Sequence, residues 1–302
     1  MYGEHEKVKW NRKGILASIL LVAAVAAAGA GAGTGSTEKN LGEENLTLAS
    51  ARVPSISAGA AILIDASDGT VLYEYNADEK MYPASTTKIM TALVVLDICE
   101  ELNLGLESEI IVPAEAVGTE GSSLYLKEGE RLSLEELLYG LMLQSGNDAA
   151  EALAWTMGGG RELFIERMNL RAGELGCENT GFVNPHGLHD ENHYTTARDL
   201  AVISREALQN PEFCRIVSAQ KWTGPAGGDR SFSNKNKTVF QYEGGDGVKI
   251  GYTKASGRTL VASATRDGRQ LIAVVLNDGN WFQDAYGLLD YGFEVMKTEG
   301  TE

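Results

Sequence analysis

Three short groupings carry residue types suited to acyl chemistry. Ser85-Thr-Thr-Lys88 places a hydroxyl and an amine three residues apart, which on a helix puts both side chains on one face. A serine hydroxyl is a poor nucleophile until a base takes its proton. Lysine can be that base only when its ammonium is deprotonated, and burial and the positive pole of a helix amino terminus both disfavour the charged form. Ser145-Gly-Asn147 offers a second hydroxyl and a side-chain amide in a short break between helical patterns, so both can converge on a cleft. Lys249-Ile-Gly251 falls in a strand pattern, where lysine beside glycine suits a carboxylate lying against backbone. Each grouping alone has a plainer reading. Ser85 and Lys88 also fit a helix-capping serine with a solvated lysine, and Asn147 fits a cap for the helix that follows. The combination is what carries weight.

The elements that must position these groups follow from periodicity. Ala60–Asp65 and Thr70–Tyr75 flank Ser67-Asp-Gly69 and predict a hairpin with an Asp-Gly turn. Pro83-Ala-Ser85 opens a helical pattern from Thr86 to about Cys99. A mostly helical block covers about 109–210. Within it, Ser133-x-x-Glu136 is a capping box ahead of Leu134, Leu137, Leu138 and Leu141. The pattern breaks at Gln144–Asn147, resumes over Asp148–Trp155 and ends at Gly158–Gly160. Arg161–Leu175 forms another helix, and Thr196-x-x-Asp199 caps one that runs to about Gln209, where Pro211 stops it. The last third returns to strands over Gly247–Thr253, Arg258–Thr265 and Gln270–Leu276, closed by an amphipathic helix over Trp281–Met296. Strands at both ends, short turns and helices between them predict an α/β (α+β) fold. An antiparallel sheet is flanked by helices, with a mostly helical subdomain and the active site between them.

The amino terminus reads as a targeting segment. Lys7, Lys9, Arg12 and Lys13 precede the uncharged run Gly14–Gly33, and Ala26, Ala28 and Ala30 supply an A-x-A cleavage site. Residues 1–33 are expected to be a signal peptide or an amino-terminal membrane anchor, residues 34–57 a polar linker, and residues 58–298 the folded domain. The basic flank precedes the apolar run, so the domain is expected to face outward, with membrane contact only through that segment. A formal net charge of −16 argues against a nucleic-acid partner, which needs a basic face. Cys99, Cys177 and Cys214 make no disulfide framework. Cys99 lies in an apolar helical pattern, and Cys177 with Cys214 is the one possible pairing. His186, His189 and His193 cluster near Asp190 and Glu191, which raises a metal site or a Ser-His-Asp triad. No G-x-S-x-G, H-E-x-x-H or CxxC accompanies them, so neither metal nor cofactor is expected.

In their order and flanks the three groupings resemble the S-x-x-K, S-x-N and K-T-G motifs of the low-molecular-mass penicillin-binding proteins with D-alanyl-D-alanine carboxypeptidase activity. The flanks are Tyr82-Pro-Ala-Ser-Thr-Thr-Lys-Ile-Met90, Leu143-Gln-Ser-Gly-Asn-Asp-Ala-Ala150, Asn184-Pro-His-Gly-Leu188 and Leu260-Val-Ala-Ser-Ala264, and the resemblance spans about residues 58–297. It implies a β-lactamase/transpeptidase-like fold and a serine D,D-peptidase that removes the terminal D-alanine of peptidoglycan stem peptides, with β-lactams as covalent inhibitors. Ser85 would be the nucleophile, Lys88 the general base and Ser145 a proton relay. Asn147, Lys249, Gly251 and Tyr252 would bind substrate, with the N–H groups of Ser85 and Tyr252 as oxyanion donors. It makes Asn184–Leu188 a structural loop and Gly121–Tyr125 scaffold near the cleft.

The chain departs from the pattern at Ile250, where the family has a threonine whose hydroxyl helps bind the substrate carboxylate. Related class A β-lactamases carry a carboxylate-binding arginine at about the spacing of Arg258, which is expected to compensate. The alternatives on the same fold are a β-lactamase or D,D-endopeptidase, and a weakly catalytic peptidoglycan-binding protein. Typical carboxypeptidases of this family add a β-rich domain and a carboxy-terminal amphipathic helix after the catalytic domain. Here Glu302 follows its last helix, so any anchoring is expected from the amino terminus.

Overall fold

The computed structural model describes residues 52–224 and 230–299, so the expected leader at 1–33 and most of the expected linker at 34–57 lie outside the described residues. β1 (Ala60–Asp65) and β2 (Val71–Tyr75) form the predicted hairpin. A tight turn over Ala84–Thr87 leads into α1 (Lys88–Leu102). A small hairpin, β3 (Glu109–Ile111) with β4 (Arg131–Ser133), precedes α2 (Leu134–Tyr139), whose start is capped by Ser133 accepting from the Glu136 N–H. A π-helical turn over Gly140–Gln144 interrupts the chain before α3 (Asn147–Met157). Then come α4 (Arg161–Glu174), α5 (Ala197–Ala207), α6 (Pro211–Ser218), the short pair β5 (Lys221–Thr223) and β6 (Ser231–Ser233), and α7 (Thr238–Gln241). β7 (Gly245–Thr253), β8 (Gly257–Arg266), β9 (Arg269–Leu276) and α8 (Trp281–Glu299) complete the described chain.

The five-stranded sheet runs β2-β1-β9-β8-β7, each neighbouring pair antiparallel, with β7 at one edge. Strands 1, 8 and 9 are apolar on both faces because both faces are covered. Ile62, Val261, Ile272 and Val274 join the core made with α1 and the other middle helices. Leu63, Leu260, Ala262, Leu271 and Val275 pack instead on Phe282, Leu288, Leu289 and Phe293 of α8. This is the expected α+β arrangement of a helix-flanked antiparallel sheet and a helical subdomain. Among the described residues no helix is long and apolar enough to cross a membrane.

Two local features differ from the sequence reading. Pro211 does not only end α5. It also opens α6, where Asn210 caps the helix by accepting from the Glu212 and Phe213 N–H groups, and a proline in the first turn lacks only an N–H that would have no helical partner. The helix after Pro83 becomes α-helical at Lys88 rather than Thr86, because the Pro83 carbonyl accepts from both the N–H and the hydroxyl of Thr86 and holds a tighter turn. All three cysteines are free, so the Cys177–Cys214 pair does not form; Cys99 is buried as expected.

Candidate active site

Ser85 is partly exposed and lies in the tight turn, just after Ala84, which has φ 49°. One turn on, Lys88 opens α1 fully buried, at 0% exposure. Its Nζ meets three oxygens: Ser85 Oγ at 3.1 Å, Asn147 Oδ1 at 2.6 Å and the His186 carbonyl at 2.8 Å. Burial drives its pKa well below the ordinary lysine value, Lys249 and Lys235 push the same way, and Asp148 opposes them. A neutral amine has two N–H bonds and one lone pair. The amide oxygen of Asn147 and the carbonyl of His186 can only accept, so they take the two N–H bonds. The lone pair then faces the one partner able to donate, the Ser85 hydroxyl. In its neutral form the Lys88 amine is thus placed to accept the Ser85 proton.

Both carbonyl acceptors are themselves fixed. Asn147 donates its amide N–H to the Glu120 carbonyl at 2.6 Å, and its backbone N–H bonds the Ser122 carbonyl at 2.7 Å. The neighbouring Asp148 accepts from Ser123 Oγ and from the Leu124 and Leu126 N–H groups, which ties the 120–126 segment to the start of α3. Ser145, buried, ends the π-helical turn with φ 65°, a left-handed conformation uncommon outside glycine and costing of order 1 kcal/mol. The loop Asn184–Leu188 presses on the turn that carries Ser85. A Cβ on Gly187, which has φ 89°, would lie 1.9 Å from the Ala84 carbonyl oxygen, so only glycine fits there.

The sheet edge supplies the remaining wall. A Cβ on Gly251 would lie 2.4 Å from Thr259 Oγ1 and 2.8 Å from the Ser85 nitrogen, so β7 runs directly against the turn that carries Ser85. Thr259 opposite it donates to the Pro83 carbonyl at 3.0 Å. Lys249, on the same strand face two residues earlier, is 1% exposed and donates to the Ile250 carbonyl at 3.0 Å. Burial, aided by Lys235, pulls its pKa down to about 7. Ile250 alternates to the other face and packs with the α8 cluster. Tyr252 is 65% exposed and pairs with Arg258, also exposed, whose guanidinium lies 5.9 Å from the Trp281 ring centroid. Among the described residues Arg258 makes no ion pair with a carboxylate.

The structure thus gathers Ser85, Lys88 and Asn147 by direct contact, brings Gly251 against Ser85, and couples Lys249 to Lys88 by charge. Ser145 stands two residues before Asn147 and just after Gln144, whose carbonyl accepts from Lys235 Nζ at 2.7 Å. Arg258 remains outside this group, on the face of Ile250 and Tyr252. The histidines serve the scaffold. His193 Nδ1 accepts from the Val183 N–H while Nε2 meets Thr87 Oγ1 at 2.8 Å, and burial pushes its pKa down to about 3. His189 is exposed and stacks edge-on against Tyr82. Among the described residues no group of three or more His, Cys, Asp or Glu side chains is placed to hold a metal. Sequence reasoning missed Lys235, which lies in an unremarked Asn-Lys-Asn run, and Glu151, which bonds His186.

Comparison with known proteins identifies the family and the fold. The D-alanyl-D-alanine carboxypeptidase family model matches residues 47–280. The chain is 36% identical over 246 residues to the D-alanyl-D-alanine carboxypeptidase DacF of Bacillus subtilis (strain 168), covering 80% of this chain and 63% of that protein. It is 33% identical over 255 residues to DacB2 of Mycobacterium tuberculosis, covering 82% of this chain and 86% of the relative. It therefore spans a little under two thirds of the Bacillus relative and most of the mycobacterial one. Among solved structures, the Streptomyces K15 DD-transpeptidase superposes with a TM-score of 0.74 at 34% identity, over 80% of this chain and 98% of that one. Penicillin binding protein 6B of Escherichia coli gives 0.75 at 33%, over 82% and 80%.

Proposed function

This chain belongs to the D-alanyl-D-alanine carboxypeptidase family, and on that footing we propose that it is a serine-type hydrolase removing the terminal D-alanine from peptidoglycan stem peptides. The observation that carries this reading is the buried Lys88 amine, with two fixed carbonyl acceptors and the Ser85 hydroxyl as its third partner. Ser85 Oγ attacks the carbonyl between the two D-alanines as its proton passes to Lys88 Nζ. The N–H groups of Ser85 and Tyr252 hold the oxyanion, worth about 3–4 kcal/mol per donor. The C–N bond then breaks, Ser145 relays a proton to the leaving amine, and free D-alanine departs. Water hydrolyses the acyl-enzyme with Lys88 again as base. A β-lactam enters the first step and stops at the acyl-enzyme.

Lys249 contributes positive potential near the substrate carboxylate, an interaction that favours its charged form. Arg258, exposed and without an acid partner, is the cation we assign to that carboxylate in place of the absent threonine hydroxyl. If so, Arg258→Ala raises the Michaelis constant for a D-Ala-D-Ala peptide about tenfold or more; an unchanged constant removes Arg258 from the site. The substrate is a wall peptide, so the domain is assigned to the outer side of the cytoplasmic membrane, reached through the amino-terminal segment.

The deciding experiment combines intact-mass spectrometry after penicillin with free D-alanine release from a stem pentapeptide. A single adduct on the parent chain, none on Ser85→Ala, and D-alanine release are expected. An adduct that turns over rapidly as hydrolysed penicillin, without D-alanine, makes the chain a β-lactamase. Adduct without either product makes it a wall-peptide binder. The likeness to the Streptomyces transpeptidase favours one further assay: an added amine acceptor tests whether the acyl group goes to water or to an amine.

A further inference from the structure

The His186 carbonyl that orients Lys88 belongs to a residue whose side chain is held from behind. His186 Nε2 lies 3.1 Å from Glu151 Oε1, and its Nδ1 accepts from the Leu188 N–H at 3.1 Å. Both ring nitrogens are engaged and the ring is buried, so the imidazole is an anchor and has no free nitrogen for substrate. Glu151 is buried too, and Arg161 Nε approaches its two oxygens at 3.2 and 3.1 Å. Burial works against the Glu151 charge, yet His186 and Arg161 hold its pKa below the ordinary value. Glu151 lies one helical turn beyond Asn147 on α3. One helix therefore carries both supports of the Lys88 amine: Asn147 directly, and Glu151 by way of an imidazole and its main chain.

We propose that Glu151, braced by Arg161, is a positioning residue for Lys88, acting through the His186 side chain to fix the carbonyl that aims the amine lone pair at Ser85. The inference rests on Ser85 and Lys88 being nucleophile and base. Without Glu151 the imidazole loses its partner, the carbonyl at position 186 is free to drift, and the amine is left with one fixed acceptor.

Rapid-quench acylation by a fluorescent penicillin, on the full chain, separates non-covalent binding from the first-order acylation step. Glu151→Ala is expected to lower the first-order constant about tenfold or more while binding stays within about twofold. Its acid limb should move to lower pH, because an ammonium loses more than an amine when a carbonyl acceptor departs. Glu151→Gln keeps an oxygen for the same N–H and should stay within about threefold of the parent. A Glu151→Ala chain acylated at the parent rate with an unmoved acid limb overturns the proposal, as does Glu151→Gln falling as far as Glu151→Ala. Where Glu151→Ala does not fold, Arg161→Met carries the test: a fall of about threefold or more supports the proposal, and a parent-like rate overturns it. A parent chain that takes no penicillin at Ser85 sinks the function and this inference together. A parent that is acylated beside an unchanged Glu151→Ala sinks this inference alone.

Discussion

Lys249→Met should make the fold more stable at neutral pH and change how that stability depends on pH. Lys249 is fully buried and, among the described residues, donates only to the carbonyl of the next residue. Its pKa falls from the ordinary 10.5 to about 7, chiefly through burial. The lowered folded value means that between about pH 7 and pH 10.5 the native chain holds fewer protons here than the unfolded chain. Stability therefore rises with pH through that window, and below it both states are charged and the fold bears the whole penalty. Linkage puts the penalty at about 4 kcal/mol at pH 7, falling to about 2 kcal/mol at pH 9. Methionine removes the charge, keeps most of the volume and has no such slope. Urea unfolding followed by tryptophan fluorescence should show the variant gaining on the parent at pH 7. That advantage should shrink by about 2 kcal/mol by pH 9, or about 4–8 °C in Tm for a domain of this size. Every titrating group but Lys249 is present in both chains and largely cancels in the difference; Lys88, whose charged form Lys249 disfavours, is relieved in the variant and adds to its advantage in the same direction. Acylation by penicillin should be lost or fall by about a hundredfold or more, since stability and activity oppose one another at this residue. A variant whose stability runs parallel to the parent between pH 7 and pH 9 would refute the assignment of a buried, readily deprotonated lysine.

Other substitutions separate the remaining parts of the site. Gly251→Ala introduces a methyl group 2.8 Å from the Ser85 nitrogen and 2.4 Å from Thr259 Oγ1, so acylation should fall about tenfold or more and Tm should drop, both read on one preparation. Asn147→Leu removes the acceptor 2.6 Å from Lys88 Nζ and should slow acylation about a hundredfold by rapid quench, with penicillin binding much less affected. Ile250→Thr restores the missing hydroxyl at a partly buried position and should lower the Michaelis constant for a D-Ala-D-Ala peptide about threefold or more, but not for an analogue lacking the terminal carboxylate.

The parts of this molecule legible in the sequence are those whose physics is local. The Asp-Gly turn, the Ser133 and Thr196 caps and the β8–β9 hairpin depend on residues within a few positions of one another, and they formed as read. Pro211 shows the limit of such reading, because whether proline ends one helix or begins the next depends on the cap at Asn210, which periodicity alone does not weigh. The candidate site divides the same way. Ser85 and Lys88 announce themselves by spacing, but a lysine three residues after a serine becomes a base only through burial and acceptors contributed from elsewhere in the fold. Asn147 is 59 residues away and the His186 carbonyl 98. Glu151 and Lys235 left no mark because their roles come from that convergence, one behind an imidazole and the other beside two buried amines. A motif names the atoms that react. What makes an amine neutral and aims its lone pair is the low-dielectric pocket around it, which exists only once α1, α3, the Asn184–Leu188 loop and the edge strand β7 have packed together.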